Sequence, residues 1–318
     1  MSDFTKANLN YATEYQSALE QAFPYALYFG KLYSTPNNGR FRWVNSKTIE
    51  IPSIETSGRV MADRDTVAFA ARNYNNYWET KTLTNQRKWS TLIHPKDIDQ
   101  TNMVTTIANI TQVFNEEQKF PEMDAYTISG LYSAWTTTVA GDGAHKEYTG
   151  KTADTITLGS DLAEAGTAIL KEFDTMMTRM DNARVPATGR VLYVTNEVKM
   201  ALKYANLLDR TFDVQTTANG VNRAVESLDG VEIIAVPETL MKTVYDFSTG
   251  WKEGSGASTI GMFLVHPLAV ITPVSYSFSK LDAPSALSEG KYTYYEESFE
   301  DVFILNNKAD ALQFAILG

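Results

Sequence analysis

The hydrophobic positions of this chain change rhythm several times, and each change marks an element. Leu162, Ala165, Ile169, Phe173, Met176, Met177 and Met180 recur at helical spacing. They form the buried stripe of a long helix, with Ser160 as its cap and Asp161 and Glu164 in its first turn. Apolar runs at 191–194, 231–236 and 261–265 read as short buried strands, with a helix over 198–208 after the first. This mixture predicts an α/β or α+β unit, set off upstream by the glycine-rich, polar stretch 140–159. Earlier, Met103, Val104, Ile107, Ile110, Val113 and Phe114 make a second helical stripe, with Asp97 or Asp99 placed to cap it. Pro121 ends or restarts that helix, and Pro121-Glu122-Met123-Asp124 opens another through Tyr126, Ile128 and Leu131.

Between 41 and 95 the rhythm becomes two, yet both faces are largely polar. Lys47–Ile51 alternates up to Pro52, and an Asn- and turn-rich stretch passes Gly58 and Asn73–Asn76. Tyr77 to Ile93 then reads as one strand, with Thr80, Thr82 and Thr84 on one side and Lys81, Asn85 and Arg87 on the other. A strand polar on both faces has no place inside a buried sheet, and a two-stranded ribbon is marginal alone. The pattern makes physical sense if the ribbon lies across another subunit; the alternative is an exposed hairpin with no partner. Its apolar exceptions, Tyr77, Trp78, Leu83 and Trp89, are the candidate intersubunit contacts. Residues 1–40 read as an extended arm: Leu19, Ala22, Phe23, Ala26 and Leu27 have helical spacing, but Pro24 interrupts it, and 34–39 is a turn cluster. The tail alternates again from Tyr292 to Phe299 and is read as continuing through Leu305.

Composition narrows the chemistry. At 318 residues the chain exceeds the ~250–300 at which one core stops growing, so two or more packed units are expected. Lys plus Arg is 28 and Asp plus Glu is 38, a net charge of −10, which argues against a protein that grips nucleic acid through its phosphates. Cysteine is absent, excluding disulfides, thiol nucleophiles and cysteine-ligated metals. The polar start lacks the apolar core of a signal peptide, and no run approaches the ~18 apolar residues of a membrane span. His94, His145 and His266 lie in separate segments without metal-site spacing, and the two that precede proline read as turns or strand ends. Gly150-Lys151-Thr152 fails as a phosphate loop because His145 stands where the motif needs glycine. Glu296, Glu297, Glu300 and Asp301 lie on one strand, which does not aim two carboxylates into one cleft, so a solvated or intersubunit charge face is expected. No catalytic, metal or cofactor site is expected.

The order of parts resembles the major capsid proteins of tailed bacteriophages, most of all those from phages of Gram-positive hosts. The resemblance is carried by NYWETKTLTNQRKWSTLIHPK at 76–96, by 97–135 including FPEMDAYTISGLYSAW, and by ARVPATGRVLYVTNEVKMAL at 183–202. VHPLAVITPVSYS at 265–277 and YTYYEESFEDVFILNNKADAL at 292–312 add to it. It implies the α+β tailed-phage capsid fold: an N-arm at 1–40, an extended β-hairpin E-loop at 41–95, a peripheral domain from 96–150 and 266–318 with a spine helix at about 99–117, and an axial domain at 151–265. It further implies a structural subunit assembling as pentamers and hexamers into an icosahedral shell around double-stranded DNA, without tight specific binding. A separate scaffolding protein, a portal protein and a virion location, with assembly in the host cytoplasm, also follow from it. Some relatives join an E-loop lysine to a peripheral asparagine, and Lys81, Lys88, Asn306 and Asn307 are the matching residue types. The alternatives are an encapsulin-type nanocompartment subunit and, from another class, a carboxylate-based α/β enzyme.

Overall fold

The computed structural model describes residues 27–59, 73–100, 106–141, 147–159, 161–204 and 227–318. Most of the expected arm, the cap Ser160, the stripe residues Met103 and Val104, His145, and the end of the helix at 205–208 lie outside them.

The described chain opens with a short helix α1 (Gly30–Tyr33), followed by β1 (Arg42–Asn45), β2 (Thr48–Thr56), β3 (Tyr74–Thr82) and β4 (Gln86–Ile93). A one-and-a-half-turn helix α2 (Pro95–Gln100) precedes α3 (Ile107–Phe114), which runs through a π-helical turn at Asn115–Lys119 into α4 (Phe120–Thr136). Then come β5 (Asp154–Ile156), α5 (Leu162–Asn182), β6 (Val191–Thr195), α6 (Asn196–Tyr204), β7 (Ser227–Leu228) and β8 (Val231–Val236). The minor strands β9 (Tyr245–Asp246) and β10 (Lys252–Glu253) lead to β11 (Ile260–Val265), β12 (Val270–Ile271), β13 (Val274–Asp282), β14 (Tyr292–Glu300), β15 (Phe303–Ile304) and β16 (Leu312–Leu317).

A six-stranded mixed sheet in the order β5-β16-β11-β6-β8-β7 is the centre of the molecule. Every residue of β6 and β11 is buried, because both faces of the sheet are covered. Leu192, Val194, Met262 and Leu264 point to the face covered by α5 and α6. Val191, Tyr193, Phe263 and Val265 point to the other, where α4 supplies Ile128, Leu131 and Trp135. On that second face the rings of Phe263 and Phe314 stack at 4.3 Å and Phe29 meets Tyr193 at 4.7 Å. The apolar runs therefore form the doubly covered strands that their continuity predicts. The last strand, β16, pairs with β11, so the boundary expected at 266 cuts through this sheet.

A second, three-stranded sheet in the order β13-β14-β4 lies against α3 and α4. Its β4 is the second half of what reads as one strand from Tyr77 to Ile93. The chain breaks there at 83–85 because Asp301, 5% exposed, accepts hydrogen bonds from the Thr84 backbone N–H (2.8 Å) and from the Tyr126 hydroxyl (2.8 Å). The strand thus leaves the ribbon and pairs with β14 over Gln86–Ile93. The tail likewise breaks at Asp301, and β15 pairs with β12 instead of extending β14.

Three further expectations change. Of the two readings at Pro121 the restart holds, and without a gap: α4 begins there, and Phe120 N–H bonds to Asn115 O, five residues back. The wide turn gives the proline ring room where an α-helical turn would clash. The spine is therefore continuous over Ile107–Thr136, later and longer than the expected 99–117. The stripe helix α3 is capped not by Asp97 or Asp99, which lie in α2, but by Thr106, whose Oγ1 accepts from the Asn109 N–H. Finally, residues 27–40 belong to the body. Phe29 and Leu32 are fully buried, and the buried Asp124 carboxylate of α4 accepts the backbone N–H groups of Tyr28 (2.9 Å) and Phe29 (3.1 Å).

Candidate assembly surfaces

The ribbon is the three-stranded antiparallel sheet β1-β2-β3, and its pairing places Pro52 opposite Trp78, Ile54 opposite Asn76 and Thr56 opposite Tyr74. Alternation then gives it two unlike faces. The inner face carries Ile49, Ile51, Ser53, Tyr77, Glu79 and Lys81, and it is tied to the chain's own body. At its foot Ile49 and Leu83 are buried with Ile271 and Phe299. Farther out, Lys81 Nζ pairs with Glu79 (2.7 Å) and donates to Asn306 Oδ1 (3.0 Å), and Asn307 Nδ2 donates to Ser53 Oγ (2.6 Å). The outer face exposes Ile54, Tyr74 and Trp78, with Ile54 71% accessible. The Arg42 guanidinium sits 4.8 Å from the centre of the Trp78 ring, holding that indole in place without covering it.

The four candidate contact residues fall into different settings. Trp78 is on the exposed face, as a contact requires. Tyr77, its neighbour, is half-buried on the inner face. Leu83 is 2% exposed inside its own chain, so it offers no surface. Trp89 is on β4, not on the ribbon; its ring stacks on Phe114 of α3 at 3.9 Å and meets Tyr294 edge-on at 5.7 Å. Sequence reasoning passed over Trp43, Val44, Ile54 and Tyr74, which are all exposed. For Ile54 a signal was present, an apolar side chain two residues from Pro52 on the same alternating strand.

A second apolar surface lies on the β13 edge, where Val274, Tyr276, Phe278 and Leu281 are exposed and the rings of Tyr276 and Phe278 stack at 6.2 Å. Leu92 is exposed on β4.

The acidic residues do not share one setting: Asp301 is buried, and Glu296, Glu297 and Glu300 are half-buried. Glu296 pairs with Lys119 (3.1 Å), and Glu297 accepts from the Tyr295 hydroxyl (2.6 Å). Asp301 is the buried anchor described above. Burial and the neighbouring Glu122 and Asp301 push the Glu300 carboxyl above its ordinary range, although Lys119 opposes the shift. A second carboxylate pair lies where α5 meets β5. Burial first, and then its hydrogen bond to Asp154, raise Glu172 to about 7, while Arg179 holds Asp154 below the usual carboxylate range. His266 is satisfied from both sides, its Nδ1 accepting from Leu268 N–H and its Nε2 lying 3.2 Å from Thr188 O. Gly150 serves a backbone crossing, since a Cβ there would overlap the Thr136 carbonyl. Among the described residues no cluster of ligating side chains is placed to hold a metal ion, and no helix is long and apolar enough to cross a membrane.

No family model and no curated protein matches this sequence. Solved structures match it over nearly its whole length. The mature capsid of bacteriophage PhiM1 superposes with a TM-score of 0.70 at 12% identity, covering 97% of this chain and 92% of that one. The capsid of Cyanophage P-SCSP1u gives 0.65 at 13% identity, covering 96% and 93%. The Cyanophage Pam1 capsid gives 0.59 at 13% identity, covering 100% and 99%. The chain therefore has the phage capsid fold that the sequence resemblance implies. The matches include cyanophages and a Helicobacter pylori phage alongside Mycobacterium phages, so the fold carries no preference for Gram-positive hosts.

Proposed function

We propose that this chain is the structural subunit of an icosahedral phage capsid, assembling as pentamers and hexamers into the shell that encloses the genome. The observation that carries the reading is the ribbon's outer face. Ile54, Tyr74 and Trp78 are exposed there, on an element whose other face is fixed to the body. At ~25 cal/mol per Å², covering each of these side chains on a neighbour is worth on the order of 2 kcal/mol before ordering costs. Repeated, non-self-complementary contacts of this kind close into shells. The role needs no chemical step, and the enzyme and nanocompartment readings have no comparable observation behind them. The division into N-arm, E-loop, peripheral and axial domains belongs to the same proposal. So do a virion location after assembly in the host cytoplasm, and a separate scaffolding protein and portal as partners. With a net charge of −10, contact with the enclosed double-stranded DNA is weak and without sequence preference. Electron microscopy and light scattering of the purified chain, with and without a scaffold, test the reading. Closed shells or capsomers are expected; a chain that stays monomeric at high concentration overturns it.

A further inference from the structure

Where the ribbon's inner face meets the body, the chain leaves a groove of about 300 Å³. Its wall is apolar, formed largely by Phe41, Ile51 and Leu305, and Arg40 and Lys308 stand over it. Neither cation has a carboxylate partner among the described residues. Arg40 reaches only the Asn37 side-chain oxygen, at 3.5 Å, and Lys308 donates to the Leu268 carbonyl at 3.1 Å. The acid that lines the same groove, Glu79, is already held by Lys81 at 2.7 Å. Two like charges therefore face one cleft with their own chain's counter-charge committed elsewhere. Burial, and then the neighbouring Arg40, pull the Lys308 ammonium below the ordinary lysine range. A bound anion would relieve that cost.

We infer that this groove is a docking site for an acidic side chain of a second copy of this chain, its carboxylate held between Arg40 and Lys308 and its aliphatic stem laid on the apolar wall. The combination of an apolar wall and a cationic rim fits a carboxylate on a hydrocarbon stem better than it fits a bare phosphate, which has no apolar part to cover. A second copy is the occupant that charge complementarity selects, because each copy carries ten more acidic than basic residues. The position agrees, since the groove opens along the inner face of the ribbon whose outer face is assigned above to the intersubunit contact. The inference rests on that shell reading.

Zero-length carbodiimide coupling tests it directly, because it joins a lysine to a carboxylate only when the two are in contact. Shells assembled from a mixture of unlabelled and ¹⁵N-labelled full-length chain are treated and digested, and the Lys308 peptides are read by mass spectrometry. Mixed-isotope peptides joining Lys308 to an Asp or Glu are the expected result. Alongside, Lys308→Gln and Arg40→Gln should each raise the subunit concentration needed for assembly about three- to tenfold, as loss of a half-exposed charge pair would. Their thermal unfolding should be unchanged, since both side chains are exposed. Coupling of Lys308 only within its own chain, or no coupling, overturns the inference. So does assembly of both variants at the wild-type concentration. If the wild-type chain forms no shell at all, the shell reading fails first and takes this inference with it; shells lacking the mixed peptide remove this inference alone.

Discussion

The central sheet, which is mixed, and the antiparallel ribbon both carry β-branched and aromatic residues, yet they spend those residues differently. In the central sheet, β6 and β11 bury every side chain, one set against α5 and α6 and the other against α4. In the ribbon only the foot is buried, through Ile49 and Leu83, while Ile54, Tyr74 and Trp78 stay exposed on the outer face. The difference teaches that strand-forming residues do not by themselves mark a core. What decides is whether the same chain supplies a second layer over the strands.

The strongest test of this contrast removes the ribbon's outer half. Replacing residues 55–75 with a short Gly-Ser linker keeps the foot, the Lys81–Asn306 bond and β4. It should abolish shell formation while shifting the midpoint of thermal unfolding by no more than a few degrees. A wider excision reaching 90 would also take Leu83 and the Trp89–Phe114 stack and would unfold the subunit, so the point where the ribbon is cut is what the experiment reads. Next in size, Phe263→Ala in the central sheet should cost about 3–5 kcal/mol in denaturant unfolding, through the lost stack on Phe314 and the cavity left behind. The ribbon itself offers the sharpest pair. Leu83→Ala should destabilise the subunit by about 2–4 kcal/mol, whereas Trp78→Ala should change stability by less than about 0.5 kcal/mol yet weaken assembly. Equal effects of the two on the isolated subunit would erase the distinction between foot and outer face.

The smallest effect belongs to the carboxylate pair at α5 and β5. Glu172 is raised to about 7 in the folded chain, so between its unfolded value near 4.5 and about 7 the native state holds the extra proton and stability falls as pH rises. Asp154, lowered by Arg179, acts in the opposite sense and in a lower window: its contribution is present above the unfolded value and is lost on acidification. Glu172→Gln should therefore flatten the decline between pH 4.5 and 7 and leave the acid limb in place, as read from melting temperature against pH.

Much of the fold was legible because its signals were local. The stripe from Leu162 to Met180 formed α5, and the apolar runs formed β6, β8 and β11, since burial on one or both faces writes a pattern within a few residues. The capsid fold itself was legible through the resemblance, and fold neighbours share it. What stayed hidden depended on distant partners. Nothing near Leu83 announces that Asp301 will capture Thr84, so the strand looked unbroken and Leu83 and Trp89 looked like ribbon residues. Phe29 and Leu32 looked like arm because their anchor, Asp124, lies far along the chain. Of the candidate contacts, Trp78 is the one on the exposed face, and it is the pairing of β2 with β3 that separates it from Tyr77 and puts Ile54 and Tyr74 on its side.

The wide turn at Asn115–Lys119 has a consequence for how this gene tolerates change. In a regular helix, losing one codon rotates everything beyond it by about 100° and would swing Ile128, Leu131 and Trp135 away from the central sheet. A π turn already contains one residue more than an α-helical turn, so a single deletion there can be absorbed by relaxation to the ordinary helix, with the faces on either side preserved. Removing Glu117 should therefore leave a folded chain, while removing Tyr132 should not. Among related lineages, length variation within this long helix is expected to collect at that one turn.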